Sequence, residues 1–145
     1  MQLFRGYVPT KDKQCLEKFK GRKRLNTLEE VQDFDEYAAI LGDETILIDV
    51  DDAETSDLLF SIVQDLGLKC RVYATTRGKH FYFRNPEGYV EKSWTKQTLA
   101  LGIETDSKVG RNNSYAIMRF NGVDREIIQD LSLIHISEPT RLDVI

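Results

Sequence analysis

The sequence predicts an α+β fold in which a mostly antiparallel sheet packs with helices. Three observations carry this expectation. The runs TILIDV (45–50), CRVYATT (70–76) and HFYFR (80–84) are β-branched or aromatic segments of strand length. Between the first two, apolar residues from Leu58 to Leu66 recur at helical spacing. The last two are separated only by Arg77, Gly78 and Lys79, a gap that a hairpin closes. With 145 residues, 41% hydrophobic and 30% charged, the chain can bury one core but has no room for a second full domain.

Taken in order, LFRGYV (3–8) reads as a short strand. Residues 11–24 are basic, with Lys11, Lys13, Lys18, Lys20, Arg22, Lys23 and Arg24 against Asp12 and Glu17. Solvated lysines are the ordinary reading of such a run, and phosphate contact is the alternative. Thr27 and Glu30 form a capping box, and Leu28, Val31, Phe34, Ala38 and Leu41 then follow at helical spacing, predicting a helix that ends near Gly42. TILIDVDD follows as a buried strand. Next comes a helix with Leu58, Leu59, Ile62, Val63 and Leu66 on one stripe, stopped at Gly67. CRVYATT and HFYFR form the expected hairpin. Residues 101–109 and 114–120 read as a second hairpin turning around Gly110 to Asn113.

A formal net charge of -4 gives no overall basic surface, so any contact with nucleic acid has to be local. Cys15 and Cys70 stand far apart with no CxxC or Cys/His spacing, which argues against zinc and for free thiols. The chain has no apolar run long enough to cross a membrane, and MQLFRGYVPTKDK lacks the apolar stretch of a signal peptide, so a soluble intracellular protein is expected.

The chemistry-bearing residues lie on three strands. Asp49 and Asp51 are two apart, so alternation puts both carboxylates on one face while Ile48 and Val50 point into the core. Paired acids repel unless a cation joins them, and hard Mg²⁺ or Mn²⁺ suits carboxylate oxygens. Helix capping is the ordinary reading of aspartates at a strand end, and it is the expectation for Asp52. Arg77, Lys79 and His80 surround Gly78, whose bare backbone lets a ligand approach, and their charge-assisted hydrogen bonds suit a triphosphate. A lone strand histidine is more often simply packed, and Phe81 and Phe83 read as core. In GIETDSKVG, Glu104, Asp106 and Lys108 share one face and Ile103, Thr105 and Val109 the other. Asp106 is the candidate third metal ligand; a surface acid paired with Lys108 is the ordinary reading.

The succession ILIDVDD, VYATTRGKHFYF, GIETDSKVGRNNSYAIMRFNG resembles the three motifs of the archaeo-eukaryotic primase superfamily, in particular the primase-polymerase domains of phage and plasmid replication proteins. The opening FRGYVPTKDK and the Leu28–Leu41 segment are similar to that family's lead-in, so the likeness spans nearly all of residues 1–130. It implies an RRM-like catalytic core, incomplete at its C-terminal end, that carries out template-directed nucleotidyl transfer in DNA replication. Asp49, Asp51 and Asp106 would be the catalytic metal ligands, holding two Mg²⁺ or Mn²⁺ ions about 3.5–4 Å apart. His80, Arg77, Lys79, Lys108 and Thr76 would bind the nucleotide. Where the family often has a small or hydroxyl residue two before the histidine, this chain has Gly78, which shifts phosphate contacts to Thr76, Arg77 or Lys79; Glu104 is the rival to Asp106. The implied partners are single-stranded DNA template, NTP or dNTP, and a helicase region beyond this segment, in the cytoplasm of a bacterial host and away from membranes.

The last residues have another origin. LSLIHISEPTR, Leu131 to Arg141, resembles the translation of a transposon-end sequencing-library adapter, and Leu142 to Ile145 fit the same frame. Residues 131–145 are therefore expected to be a non-native tail. His135 drops out of any catalytic reading, and the gene is expected to run on past Asp130.

Two rivals stand beside the primase-polymerase expectation. One is a catalytically inactive RRM-like module that stacks bases on exposed rings, against which the opposite phases of Phe81/Phe83 and His80/Tyr82 argue. The other is a metal-dependent transferase that uses a DxD pair for sugar nucleotides, which would have no need of His80 and Asp106 nearby.

Overall fold

The computed structural model describes residues 2–85, 97–99, 102–110 and 113–130. The tail 131–145 and positions 111–112 of the expected second turn lie outside them. Among the described residues the fold is α+β, with two antiparallel sheets and two helices. The first sheet orders its strands as β10 (Val123–Asp124), β9 (Tyr115–Phe120), β3 (Tyr37–Leu41), β1 (Phe4–Lys11) and β2 (Gln14–Cys15). The second runs β11 (Ile127–Gln129), β5 (Arg71–Ala74), β6 (Lys79–Arg84), β4 (Thr45–Val50), β8 (Glu104–Val109) and β7 (Gln97–Thr98).

β4 is the centre of the second sheet, paired to β6 on one side and β8 on the other. Its alternation supplies two cores. Ile46, Ile48 and Val50 face α2 (Ala53–Asp65), where they pack with Leu59, Val63, Phe81, Phe83 and Val72. Leu47 faces the opposite way, packing with Tyr73 and Tyr82 against Leu41, Ala39, Ala116 and Met118 of the first sheet. The molecule is thus layered as helix, sheet and sheet, each apolar face covered by the next layer. Leu59 and Val63 are wholly buried one helical turn apart, and each such burial stabilises by about 1.5–3 kcal/mol. Asp52 caps α2, its carboxylate accepting from Thr55 N at 2.8 Å, and Gly67 ends the helix with a φ of +62°.

Three expectations are corrected. The helix over 28–41 is a single turn, α1 (Leu28–Val31), although its Thr27–Glu30 capping box forms as read. Tyr37–Leu41 is β3, between β1 and β9. All five of its residues are buried, and a run with no polar face is what a strand covered on both sides requires. On α2 the buried stripe is narrower than expected: Leu58 and Leu66 are exposed.

The second hairpin is also absent. β8 and β9 follow one another in sequence but belong to different sheets, β8 pairing with β4 and β9 with β3. Gly110 marks the crossing, since a Cβ there would stand 1.7 Å from the Gly42 carbonyl oxygen and 3.2 Å from that of Thr45. The chain leaves β8 pressed against the β3–β4 turn, an approach only glycine permits. The hairpin joining β5 and β6 forms as expected, with Thr75 N donating to Gly78 O and Gly78 N to Thr75 Oγ1, both at 3.0 Å.

Candidate active site

The register of the second sheet aligns the candidate residues. On β4, Asp49 is the partner of His80 on β6 and of Asp106 on β8, so the three form one row across adjacent strands. The row extends to Tyr73 on β5, the partner of His80. Its neighbour on the same face is Tyr82, Leu47 and Lys108. Directly opposed residues have Cβ atoms about 4.5–5.5 Å apart, close enough for their carboxylates to share a cation. Glu104 lies at the start of β8, exposed and paired with Thr98, two residues beyond the Asp49 row. Asp106, not Glu104, is therefore the acid that meets Asp49.

Asp49 is half-buried. His80 Nε2 lies 3.4 Å from its Oδ1. Burial alone would raise the Asp49 carboxyl, but His80, with the positive charges of Lys108 and Arg125 behind it, outweighs that and holds it below the ordinary carboxylate value. For His80 burial dominates and disfavours the charged ring, with Asp49 pulling the other way. Lys108 folds its ammonium back over the Tyr115 ring and donates to Tyr115 O at 3.1 Å.

Asp51 and Arg77 lie just beyond the strand ends. Arg77 Nη2 is 2.5 Å from Asp51 Oδ2, and both side chains are largely exposed. Thr76 is exposed in the same turn. Lys79 lies elsewhere: its ammonium meets Ser56 Oγ at 3.2 Å and the Asp57 carboxylate, on the α2 side of the sheet. Alternation requires this, because Lys79 precedes His80 and shares the phase of Phe81 and Phe83. The structure thus gathers His80, Asp49, Asp106 and Lys108, sets Asp51 and Arg77 as a pair at the rim, and separates Lys79 from them.

Gly78 has a structural role in this arrangement. A Cβ on it would stand 1.8 Å from Val50 O and 2.9 Å from Asp52 N, so the β5–β6 turn rests directly on the end of β4. That contact brings Arg77 to Asp51.

Sequence reasoning missed Arg125. It follows β10 and precedes β11, so it belongs to a segment that leaves the first sheet and joins the second. Its positive charge acts on Asp49, His80, Tyr82 and Lys108, and burial makes its own charge harder to keep. Nothing in NGVDREIIQD announces this, because the position depends on how the chain returns.

Among the described residues, no group of three or more His, Cys, Asp or Glu side chains is arranged to hold a metal ion. The donor set would suit a hard divalent cation that takes the rest of its shell from elsewhere: Asp49 and Asp106 stand at opposed positions, with Asp49 also meeting His80 and Asp51 meeting Arg77. Mg²⁺ is commonly held in this way, by one or two carboxylates together with substrate phosphates and water. Phe81, Tyr82 and Phe83 are wholly buried, so β6 presents none of these rings for stacking a base. Cys15 is half-buried and Cys70 buried, both free. No helix among the described residues is long and apolar enough to cross a membrane. Compared with family models, curated proteins and solved structures, the chain matches none.

Proposed function

We propose that residues 1–130 are the catalytic part of a primase-polymerase, performing template-directed nucleotidyl transfer in the replication of a phage or plasmid. The observation that carries this reading is the His80–Asp49–Asp106 row across β6, β4 and β8, built from three separate sequence motifs. Topology supports it as well. β4 and β5 are joined through α2 with β6 inserted between them, the split β-α-β unit on which an RRM-like core is built. The burial of Phe81, Tyr82 and Phe83 weighs against the alternative, an inactive module that binds nucleic acid by stacking.

In the reaction, a primer 3′-hydroxyl oxygen bonds to the α-phosphorus of an NTP or dNTP, the bond to the bridging oxygen breaks, pyrophosphate leaves and the hydroxyl proton passes to solvent. Asp49 and Asp106, joined by Asp51 once Arg77 releases it, are the ligands for Mg²⁺ or Mn²⁺. A bound divalent ion supplies activation of the hydroxyl and neutralisation of charge on the leaving group. His80, Lys108 and Arg77 hold and orient the triphosphate, with Thr76 beside them at the rim. Lys79 serves this site indirectly, by fixing the β6 start to α2. Single-stranded DNA contributes backbone contacts that weaken with salt. A helicase region beyond residue 130 and the cytoplasm of a bacterial host complete the proposal. It is tested by primer extension on single-stranded template with Mg²⁺ or Mn²⁺, in which Asp49→Ala and Asp106→Ala should each abolish synthesis.

A further inference from the structure

Among the described residues four side-chain polar atoms are buried without a hydrogen-bond partner, and three of them lie around the carboxylate row: His80 Nδ1, Tyr82 Oη and Arg125 Nη1. His80 is 9% exposed and Tyr82 wholly buried. They are two apart on β6 and on the same face, with ring centroids 6.2 Å apart. Arg125 arrives from the other sheet. Its N–H donates to Met118 O at 2.8 Å, and the next residue, Glu126, accepts from Ala74 N at 2.9 Å, which lays the segment beside the end of β5. From there its charge acts on Tyr82 and Asp49.

A buried polar atom without a partner is costly, and native folds keep few of them, so the Tyr82 hydroxyl and the Arg125 guanidinium call for a guest that supplies their partners. That guest has to accept hydrogen bonds from a guanidinium and a phenol. It also has to bring negative charge: Asp49 is shared by Lys108 and Arg125, and a divalent cation joining the carboxylates would leave both without their counter-charge. A phosphate group meets both demands, and Arg binds its oxygens with charge-assisted hydrogen bonds. Asp49 and Arg125 are only half-buried, so this end of the group opens to solvent.

We propose that Tyr82 and Arg125, beside His80, form a pocket for one phosphate group, taken either from the triphosphate of the incoming nucleotide or from the nucleic-acid backbone. The assignment rests on the nucleotidyl-transfer reading and adds two residues to it.

The test uses Tyr82→Phe and Arg125→Gln in the whole chain. Thermal unfolding is measured together with the binding of inorganic triphosphate in Mg²⁺ and of a single-stranded oligonucleotide. Tyr82→Phe removes only a hydroxyl that has no protein partner, so the variant should melt at or above the wild-type temperature. Both variants should weaken one ligand by roughly tenfold or more, the loss of a hydrogen bond to a charged group. Loss confined to triphosphate assigns the pocket to the nucleotide; loss confined to the oligonucleotide assigns it to the backbone. Unchanged affinity for both, where the wild type binds at least one, overturns the pocket and leaves the functional reading intact. A wild-type chain that binds neither overturns both. Should Arg125→Gln fail to fold, Tyr82→Phe alone decides.

Discussion

Asp49 on β4 and Asp106 on β8 face one another as register partners of adjacent antiparallel strands. On the proposed function, these two carboxylates hold a divalent ion together with its nucleotide. Mg²⁺ with dNTP should therefore raise the melting temperature of the wild-type chain. At a ligand concentration one hundred times the dissociation constant the stabilisation is about 2.7 kcal/mol. Asp106→Asn should lose this rise while keeping its fold, as read by thermal unfolding with and without the ligands.

Gly78 rests on the backbone of Val50 and Asp52, neither of which can yield as a flexible side chain would. Gly78→Ala should cost about 1–3 kcal/mol, the range for overpacking, and should disturb the Asp51–Arg77 pair at the same strand end. Denaturant unfolding measures the first effect and triphosphate binding the second.

Arg119 anchors the hairpin that leads to Arg125. It reaches the Asp124 carboxylate at 2.5 Å, Gln32 O at 2.7 Å and the Tyr37 ring at 4.9 Å. The hydrogen bond from Arg119 holds the Asp124 carboxyl below its ordinary value. A carboxyl depressed in the native state contributes stability that is present above its unfolded value, about 3.9, and is lost as pH falls through the native one. Asp124→Asn should thus lower the melting temperature at pH 7 and narrow the gap to wild type below about pH 4.

Burial pushes the Cys70 thiol up to about 12, while Cys15 is raised less and is partly open. Since the thiolate is the reactive form, a thiol reagent at pH 8 should modify Cys15 first and Cys70 only on unfolding. Two equal rates in the native chain would show that the β5 end is open.

The fold was most legible where local and global demands agree. TILIDV, α2 and the β5–β6 hairpin announce themselves because their alternation, cap and turn residues all belong to elements they complete with near neighbours. Tyr37–Leu41 reads as helix because Phe34, Ala38 and Leu41 happen to fall at helical spacing, and only burial on both faces reveals the strand. The β8–β9 crossing is hidden in the sequence because proximity favours a hairpin, whereas the Gly110 approach to Gly42 sends the chain to the other sheet. At the site, strand phase fixes which face each of Asp49, His80 and Asp106 occupies and sets Lys79 on the other, but only the strand order puts the three in one row, and Arg125 depends wholly on long-range return of the chain.

The most direct test of the central claim is primer extension on a single-stranded template by this chain, with dNTPs or NTPs and Mg²⁺ or Mn²⁺, beside Asp49→Ala and Asp106→Ala. The account predicts metal-dependent synthesis by the wild type and none by either variant. Synthesis that persists in either variant would contradict it.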